Sequence, residues 1–327
     1  MNNLAALFSE YGAPSSVLKV VSLAVPDLTP QDVLLRMLFA PINPSDINLI
    51  EGTYGTKPSL PAIAGNEGVA RIEHLGEKVT DLQLGQLVLP PSGTGSWQQW
   101  VVCSGADCLK LPATLKPEQA AMLYVNPSTA WRLLHDFFQL EPGEWVIQNS
   151  ANSAVGRSVI QIAHALGLRT VNLVRRTDLF PELKELGADA VFLDTPDSVA
   201  LIRDLVGAYP PRLALNAVGG DSVNLLCKVA APSAKIVTYG AMSKQPLRLG
   251  NGLLIFKDIS FHGYWISRWY KNAKREEVYR MFDSLAALEQ QGRLKIPIAA
   301  TYPLSEVLQA ITAVQGEKRR GKILLQL

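Results

Sequence analysis

The sequence predicts an α/β protein in which a doubly wound parallel sheet is joined to an irregular β-rich domain. Its 327 residues are enough for two domains of about 150 residues each. Short β-branched stretches separated by Gly and Pro fill the chain up to residue 115. From Glu144 onward, short apolar strands alternate with helical patterns, which is typical of a parallel sheet covered by helices on both faces.

The first 115 residues contain four expected strands, at 17–25, 32–39, 69–74 and 86–89. Helical periodicity follows at 117–123 and 128–138. The alternating region has expected strands at 145–148, 170–174, 191–193, 213–218 and 236–239, with helices at 155–166 and 182–186. Helices at 276–291 and 305–315 precede a last strand, 322–327, which we expect to pair with the β-rich domain.

Composition excludes several classes of protein. Lys plus Arg number 31 and Asp plus Glu number 29, a net charge of +2 that is too balanced for a nucleic-acid or anionic-membrane partner. Hydrophobic residues make up 48% of the chain, which is enough to form large cores. No apolar run approaches the roughly 18 residues that a membrane span needs. We therefore expect a soluble protein.

Cysteine content and the first residues bear on location. Three cysteines, Cys103, Cys108 and Cys227, cannot form a disulfide framework and indicate a reducing compartment. The first twelve residues contain no Lys or Arg and include Glu10, unlike a signal peptide or an Arg-rich transit peptide. These features predict a cytoplasmic protein.

The turn after strand 145–148 is a candidate cofactor site. A dinucleotide fingerprint has the form G-x-G-x-x-G, and here its three glycine positions hold Ala151, Ser153 and Gly156. Small side chains still admit a pyrophosphate, and the following helix N-terminus offers N–H groups and a positive dipole end. Taken alone, the motif also fits an ordinary strand–helix turn.

The end of the next strand favours NADPH over NADH. Val174 is followed by Arg175, Arg176 and Thr177. An acidic residue at this place would bind the ribose 2′-hydroxyl of NAD, whereas the planar fork of an arginine bonds a 2′-phosphate. The alternative is two exposed arginines on a solvated loop.

Several longer motifs make the whole chain recognisable. They are PINPSDINLIEGTY (41–54), GNEGV (65–69), VNPSTAWR (125–132), VIQNSANSAVG (146–156), VTYGAMSKQP (237–246) and LIFKDISFHGYW (254–265). Through them the chain resembles the medium-chain dehydrogenase/reductases, and more narrowly the zinc-free trans-2-enoyl thioester (enoyl-CoA/enoyl-ACP) reductases of the mitochondrial enoyl reductase group. The resemblance runs almost from end to end.

The resemblance implies a GroES-like catalytic domain, built from both chain ends, around a Rossmann NADPH-binding domain. We place the first part of the catalytic domain at 1–118, the Rossmann domain at 119–266 and the return to the catalytic domain at 267–327. It also implies a homodimer. The segment 253–265 is apolar and β-rich, and it would end the Rossmann sheet at an edge that can pair with a copy of itself.

The implied reaction is NADPH-dependent reduction of the 2,3-double bond of an enoyl-CoA or enoyl-ACP, as in fatty acid metabolism. Hydride goes to Cβ, an enolate forms on the thioester oxygen, and Cα takes a proton. In the resembled family the tyrosine matching Tyr54 is the proton donor. A phenol with a pKa of about 10 stays protonated at pH 7. Without the resemblance, Tyr54 fits a turn aromatic between Gly52 and Gly55, and an ordered water remains an alternative donor.

The resemblance assigns the remaining cofactor contacts. Asn126 is placed near the nicotinamide ribose, and Lys322 near the adenine phosphate. The pyrophosphate is assigned to Asn152, Ser153, Ala154, Val155 and Gly156. The nicotinamide half and the cleft wall are assigned to Tyr239, Gly240, Ala241, Met242, Tyr264, Trp265 and Ile266. Plain core packing is the alternative for Trp265.

No metal is expected. Zinc enzymes of the superfamily have a Cys in the loop that is 43–46 here, and Gly-His-Glu where this chain has Gly65, Asn66 and Glu67. Asparagine is a poor zinc ligand, and catalytic zinc takes three protein ligands. The histidines, His74, His135, His164 and His262, show no ligand spacing.

Two other functions stay open at this point. One is an NADPH:quinone oxidoreductase, and the other is a catalytically inactive NADPH-binding protein with a regulatory or structural role. The sequence leaves the acyl chain length, the CoA or ACP carrier and the pathway undetermined.

Overall fold

The computed structural model describes residues 2–316 and 320–327 and consists of two units. The first unit comprises Met1–Val125, Phe282–Ala286 and Lys295–Leu327, and the second comprises Asn126–Met281 and Ala287–Leu294. The second unit thus begins later than residue 119 and continues beyond residue 266.

Local packing explains both shifts. The helix that follows Lys116 packs on two strands of the first unit's sheet. Beyond residue 266, the Arg132 guanidinium lies 4.5 Å from the Trp269 ring centroid, and the Tyr270 hydroxyl donates to Ser128 Oγ at 2.9 Å. These contacts hold residues 266–272 in the second unit.

Sixteen strands and twelve α-helices cover the described residues. The first unit opens with β1 (Asn2–Phe8), α1 (Pro14–Val17), β2 (Leu18–Ala24), β3 (Asp32–Pro41), α2 (Pro44–Ile50), β4 (Ala62–Ile63), β5 (Val69–Leu75), β6 (Leu87–Leu89), β7 (Trp100–Ser104), β8 (Leu109–Lys110) and α3 (Pro117–Ala120). The second unit contains α4 (Asn126–His135), β9 (Trp145–Gln148), α5 (Ala154–Ala165), β10 (Arg169–Val174), α6 (Phe180–Glu185), β11 (Ala190–Leu193), α7 (Ser198–Val206), β12 (Leu213–Asn216), α8 (Ser222–Val229), β13 (Lys235–Thr238), α9 (Asn251–Lys257), β14 (Ser260–Gly263) and α10 (Ile266–Asn272). The chain ends with α11 (Arg275–Gln290), β15 (Ile298–Pro303), α12 (Val307–Gln315) and β16 (Lys322–Gln326).

The second unit is a doubly wound parallel sheet, as the sequence predicts. Its strand order is β11-β10-β9-β12-β13-β14, and every neighbouring pair is parallel. The order reverses direction at β9, so the turn after β9 lies at the switch point where such sheets bind ligands. Ile147, Leu173 and Ile236 are fully buried, which agrees with apolar strands covered on both faces.

The first unit is β-rich, with a three-stranded sheet (β2-β1-β4) and a seven-stranded one. In the larger sheet β16 pairs antiparallel with β3, bringing Leu324 opposite Pro41, and parallel with β15. The prediction that the last strand returns to the β-rich domain is therefore confirmed. Among the described residues, no helix has the length and apolarity that crossing a bilayer requires.

The segment 253–265 differs from its expected extended structure. Its first part belongs to α9, which ends at Asp258 in the left-handed conformation with φ +50°. Only Ser260–Gly263 forms a strand, β14, at the end of the sheet order. A short apolar run such as LLIF suits a helix or a strand, and the preceding Gly250 and the left-handed stop at Asp258 here favour the helix.

Candidate active site

The turn after β9 has the shape of a phosphate cradle. Ser153 caps α5, and its Oγ accepts the backbone N–H of Gly156 at 3.1 Å. A Cβ at Gly156 would lie 2.6 Å from the carbonyl oxygen of Ala151, so only glycine lets the helix start so close to the turn. Ala151 is fully buried, whereas Asn152 is exposed. Ala151 and Ser153 thus preserve the tight turn before a twelve-residue helix. The N-terminus of such a helix favours an anion.

Two buried asparagines, Asn149 and Asn216, organise the carboxyl ends of β9 and β12. Asn149 Nδ2 donates to Asn216 Oδ1 and to Ser222 Oγ, both at 2.8 Å, and Asn149 Oδ1 accepts the Ala217 N–H at 2.7 Å. Asn216 Nδ2 continues the network to Thr238 Oγ1 at 3.1 Å. This network was not predicted from the sequence. A polar residue at the end of each of two adjacent apolar strands was the available signal.

The expected 2′-phosphate residues lie at the carboxyl end of β10. Arg175 is exposed, and Arg176 forms an ion pair with Asp178, with Nε and Oδ1 3.3 Å apart. Burial raises the pKa of nearby Asp194, and the charge of Arg175 opposes that rise. Thr177 is exposed and begins a short 3₁₀ turn. The position and exposure of these side chains fit an anionic ligand.

The other cofactor-side residues of the second unit lie at several of its elements. Tyr239 and Gly240 directly follow β13, and a Cβ at Gly240 would lie 2.9 Å from the Ala217 carbonyl oxygen. Ala241 and Met242 are exposed, and Ser150 Oγ donates to Met242 Sδ at 3.1 Å. This bond joins the turn after β9 to the loop after β13. The remaining assigned residues are Asn126 at the start of α4, Tyr264 and Trp265 after β14, and Ile266 at the start of α10.

Tyr54, in the first unit, is half-buried and follows α2 closely. The N–H groups of Thr53 and Tyr54 both donate to the carbonyl of Asn48, at 2.8 and 3.1 Å. Gly52 makes the turn with φ +71°, and a Cβ there would lie 2.9 Å from the ring of Tyr11. The local sequence therefore fixes the backbone of Tyr54 to the helix before it.

The other end of α2 is held by Asp46. One oxygen of Asp46, Oδ2, accepts the backbone N–H of Asn43 at 2.7 Å. The other, Oδ1, accepts the backbone N–H and the side-chain amide of Asn66, at 2.9 and 2.7 Å. A single buried carboxylate thus ties the start of α2 to the loop before β5.

Glu67 and Lys322 complete a buried group, which we call the Glu67 cluster (Asn43, Asp46, Asn66, Glu67 and Lys322). Asn43 Nδ2 donates to Glu67 Oε1 at 2.7 Å, and Glu67 Oε2 accepts the Val125 N–H at 2.8 Å. The Lys322 ammonium donates to Asn43 Oδ1 and to the Ile42 carbonyl.

The structure places Lys322 in this cluster, and the adenine-phosphate contact that the resemblance implies for it stays a prediction. The residue is 4% exposed, and its ammonium is held by acceptors of the first unit. Its charge also acts on the two buried carboxyls of the cluster. No local sequence signal predicts this contact, because Lys322 lies far along the chain from its partners.

Burial shifts the acidity of both carboxyls in the Glu67 cluster. Burial raises the pKa of Asp46 to about 6, against the opposing effects of the Asn43 N–H and the Lys322 charge. Burial likewise raises the pKa of Glu67 to about 7, opposed by Lys322, Asn43 and the Val125 N–H and assisted by Asp46. Two carboxyls and one ammonium therefore share this site. Glu67, the carboxyl with the higher pKa, loses its proton at about pH 7.

A small cavity adjoins the Glu67 cluster within the first unit. Gly65, Glu67, Ser96 and Tyr124 are among its lining residues. Gly65 has φ +96°, and a Cβ there would lie 2.3 Å from Ser96 Oγ, so the GNEG motif needs its first glycine. Ser96 Oγ is buried without a hydrogen-bond partner in the part of the chain that the structure describes.

The positions that hold zinc ligands in related enzymes are used differently here. Asn66 bonds to Asp46, and Asn43 bonds to Glu67 and Lys322. Within residues 2–316 and 320–327, no group of three or more His, Cys, Asp or Glu side chains could hold a metal ion.

Two family models match the chain. The alcohol dehydrogenase GroES-like domain matches residues 29–113, and the zinc-binding dehydrogenase model matches residues 154–287. The first matched region falls in the β-rich unit, and the second falls in the unit with the doubly wound sheet except for Phe282–Ala286.

Curated relatives are similar over most of the chain. The mouse mitochondrial enoyl-[acyl-carrier-protein] reductase is 44% identical over 318 residues, covering 94% of this chain and 84% of that protein. The human protein of the same name is 42% identical with the same coverage. A Dictyostelium discoideum counterpart is 38% identical and covers 98% of this chain and 93% of its own.

Solved structures of two kinds are similar to the chain. The complex of Etr1p with NADP and crotonyl-CoA has a TM-score of 0.91 at 31% identity and full coverage of both chains, and Etr1p is a mitochondrial 2-enoyl thioester reductase from Candida tropicalis. A protein described as a putative NADPH:quinone reductase from Bacillus thuringiensis has a TM-score of 0.93 at 27% identity, covering all of this chain and 99% of that one.

These relatives overturn the expectation of a cytoplasmic protein. The mouse, rat, human and Dictyostelium relatives are all mitochondrial enzymes. The expectation rested on the cysteine content and the first twelve residues, and neither distinguishes one reducing compartment from another.

The Glu67 cluster predicts how stability depends on pH. Folded Asp46 and Glu67 keep their protons to about pH 6 and 7, whereas their ordinary pKa values are 3.8 and 4.5. The folded state thus binds more protons than the unfolded state in this window, so the two carboxyls stabilise the fold fully below about pH 4. That stability is lost as the pH rises to about 7.

Glu67→Gln is therefore expected to make the urea midpoint depend less steeply on pH between about 4.5 and 7. The control is Glu73→Gln, which removes an exposed carboxyl from β5 and should follow the wild type. An unchanged slope in Glu67→Gln would show that this carboxyl is ionised throughout the window.

Proposed function

This chain belongs to the enoyl thioester reductases of the medium-chain dehydrogenase/reductase superfamily, and from that premise we infer that it reduces the 2,3-double bond of trans-2-enoyl thioesters with NADPH. The acyl carrier is CoA or acyl carrier protein, the two carriers named for its relatives. The observation that carries the proposal is the close match to such reductases along almost the whole chain.

The second unit fits NADPH. The α5 N-terminus and its glycine-dependent turn suit the pyrophosphate, and exposed Arg175 with Arg176 suits the 2′-phosphate. When bound, NADPH supplies the hydride that is added to Cβ. The protein's own task is then to hold the thioester and to protonate the enolate.

Tyr54 is our candidate for that proton donor. Its phenol can give a proton to the enolate without a metal. In related enzymes the regions of Asn43 and Asn66 hold zinc ligands, whereas here both side chains form hydrogen bonds inside the Glu67 cluster. This difference supports a proton donor that acts without a metal.

Quinone reduction is the second candidate, favoured by the TM-score of 0.93 to the Bacillus protein. The identity of 44% to an enoyl reductase, against 27% to that protein, favours the thioester. Turnover of crotonyl-CoA and of a quinone by the same purified sample distinguishes the two.

Tyr54→Phe tests the proton donor. It should lower kcat on crotonyl-CoA by about 10²–10⁴-fold, the usual contribution of a general acid. NADPH affinity and the melting temperature should stay near wild type, because only the hydroxyl is lost. Tyr302→Phe, in β15 of the same unit, is the matched control. Near-normal turnover by Tyr54→Phe would remove this residue from the catalytic role.

Arg175→Ala combined with Arg176→Ala tests the cofactor preference. Loss of charge-assisted bonds to the 2′-phosphate costs about 1.5–3 kcal/mol, which raises the KM for NADPH by about 10-fold or more. The KM for NADH should change little. Arg169→Ala, at the opposite end of β10, is the control. A wild-type enzyme that uses NADH as well as NADPH would contradict the assignment.

We also predict a homodimer that pairs through the β14 edge. The α9 helix beside that edge has no buried residue, and Ile255 and Phe256 are 69% and 86% exposed. An apolar surface next to an open sheet edge favours a second copy as its cover. The Candida Etr1p/Etr2p pair is a heterodimer of this fold.

Light scattering should give twice the chain mass of 35.6 kDa, and Phe256→Glu should shift the protein towards monomer. Tyr209→Glu, at a 79% exposed position of the second unit, is the control. A wild-type monomer would contradict the prediction.

A further inference from the structure

Asp46 and Glu67 of the Glu67 cluster are buried carboxyls without a role in the reaction proposed above. Asp46, Glu67 and Lys322 are 1%, 3% and 4% exposed. Buried ionic groups of this kind contribute little net stability, since apolar residues of similar volume often serve a fold as well. The hydrogen bonds between them also fix the relative position of the elements that they join.

The cluster joins four separate parts of the first unit. Asp46 belongs to α2, Glu67 to the loop before β5, and Lys322 to β16. Asn43 links Glu67 to Lys322 through its two side-chain atoms. Glu67 also takes the N–H of Val125, the last residue of this part of the unit.

α2 connects this cluster to Tyr54. The helix has seven residues and so spans about 10 Å. Asn43 and Asp46 fix its start, and the carbonyl of Asn48 receives the N–H groups of Thr53 and Tyr54 near its end. A shift of the helix start therefore moves the backbone that carries the phenol.

We propose that Glu67 is a positioning residue that, through Asn43 and α2, holds the Tyr54 hydroxyl where it protonates the enolate. The proposal rests on the proposed function, because it needs Tyr54 to act as the donor. Glu67 does not touch the substrate. Its effect on the reaction passes through the tyrosine.

A double-mutant cycle on crotonyl-CoA turnover tests this. Glu67→Gln should lower kcat by about 10-fold or more in the wild-type background, as a displacement of catalytic geometry does. In the Tyr54→Phe background the same change should lower kcat by less than about 2-fold, because its only target is gone. NADPH binding, followed by cofactor fluorescence, should be unchanged in all four proteins.

Asn3→Ala is the matched control. Asn3 is also buried in the first unit and bonds to Gln98 Oε1 and the Trp100 carbonyl, at 2.8 and 3.0 Å. It should lower the melting temperature and leave kcat close to its value in each background. If Glu67→Gln does not fold, Asn43→Ser takes its place, since it cuts the link between Glu67 and Lys322 and leaves all three charges present.

Equal losses of kcat in the two backgrounds, or no loss in the wild-type background, would overturn the positioning role. Failure of the proposed function has a different signature, because wild type itself would then not reduce crotonyl-CoA or Tyr54→Phe would keep its turnover. Either of those results also removes the basis of this proposal.

Discussion

The hydrogen bonds of the Asn43 side chain are the interaction on which the first unit's candidate site depends. One amide group joins a carboxylate from the loop before β5 to an ammonium from the last strand. Without that link, two buried carboxylates and a buried cation would lack their arrangement, and an unpaired buried charge is strongly destabilising. The same asparagine begins α2, so the electrostatic arrangement and the path of the chain towards Tyr54 are set at one residue.

The candidate anion site of the second unit depends on backbone geometry. Its turn after β9 places N–H groups at a helix start, and the closeness of Gly156 to Ala151 leaves no room for a side chain. Positive charge is supplied separately at the end of β10. The NADPH site that we propose therefore combines the helix with the arginines, and the proposed proton donor lies in the first unit.

Hydrophobic periodicity was sufficient to predict the doubly wound sheet, because buried parallel strands are short apolar runs between helices. It was insufficient to predict segments in which local and tertiary preferences compete. The run LLIF before Lys257 is helical, although its composition also suits a strand. β1 was missed, because residues 2–8 were considered only as a possible leader. The Glu67 cluster could not be predicted from the sequence, because Glu67 and Lys322 come together only in the folded sheet. Asn66 entered the sequence interpretation only as a poor zinc ligand.

The activity that we infer for this chain is the addition of hydride from NADPH to the β-carbon of an enoyl thioester. The most direct measurement is mass spectrometry of the product formed from crotonyl-CoA and NADPH deuterated at the transferable position of the nicotinamide, in buffer containing EDTA. We expect saturated butyryl-CoA with one deuterium, located at Cβ. Unchanged crotonyl-CoA, in a sample that oxidises the same cofactor with a quinone, would contradict it.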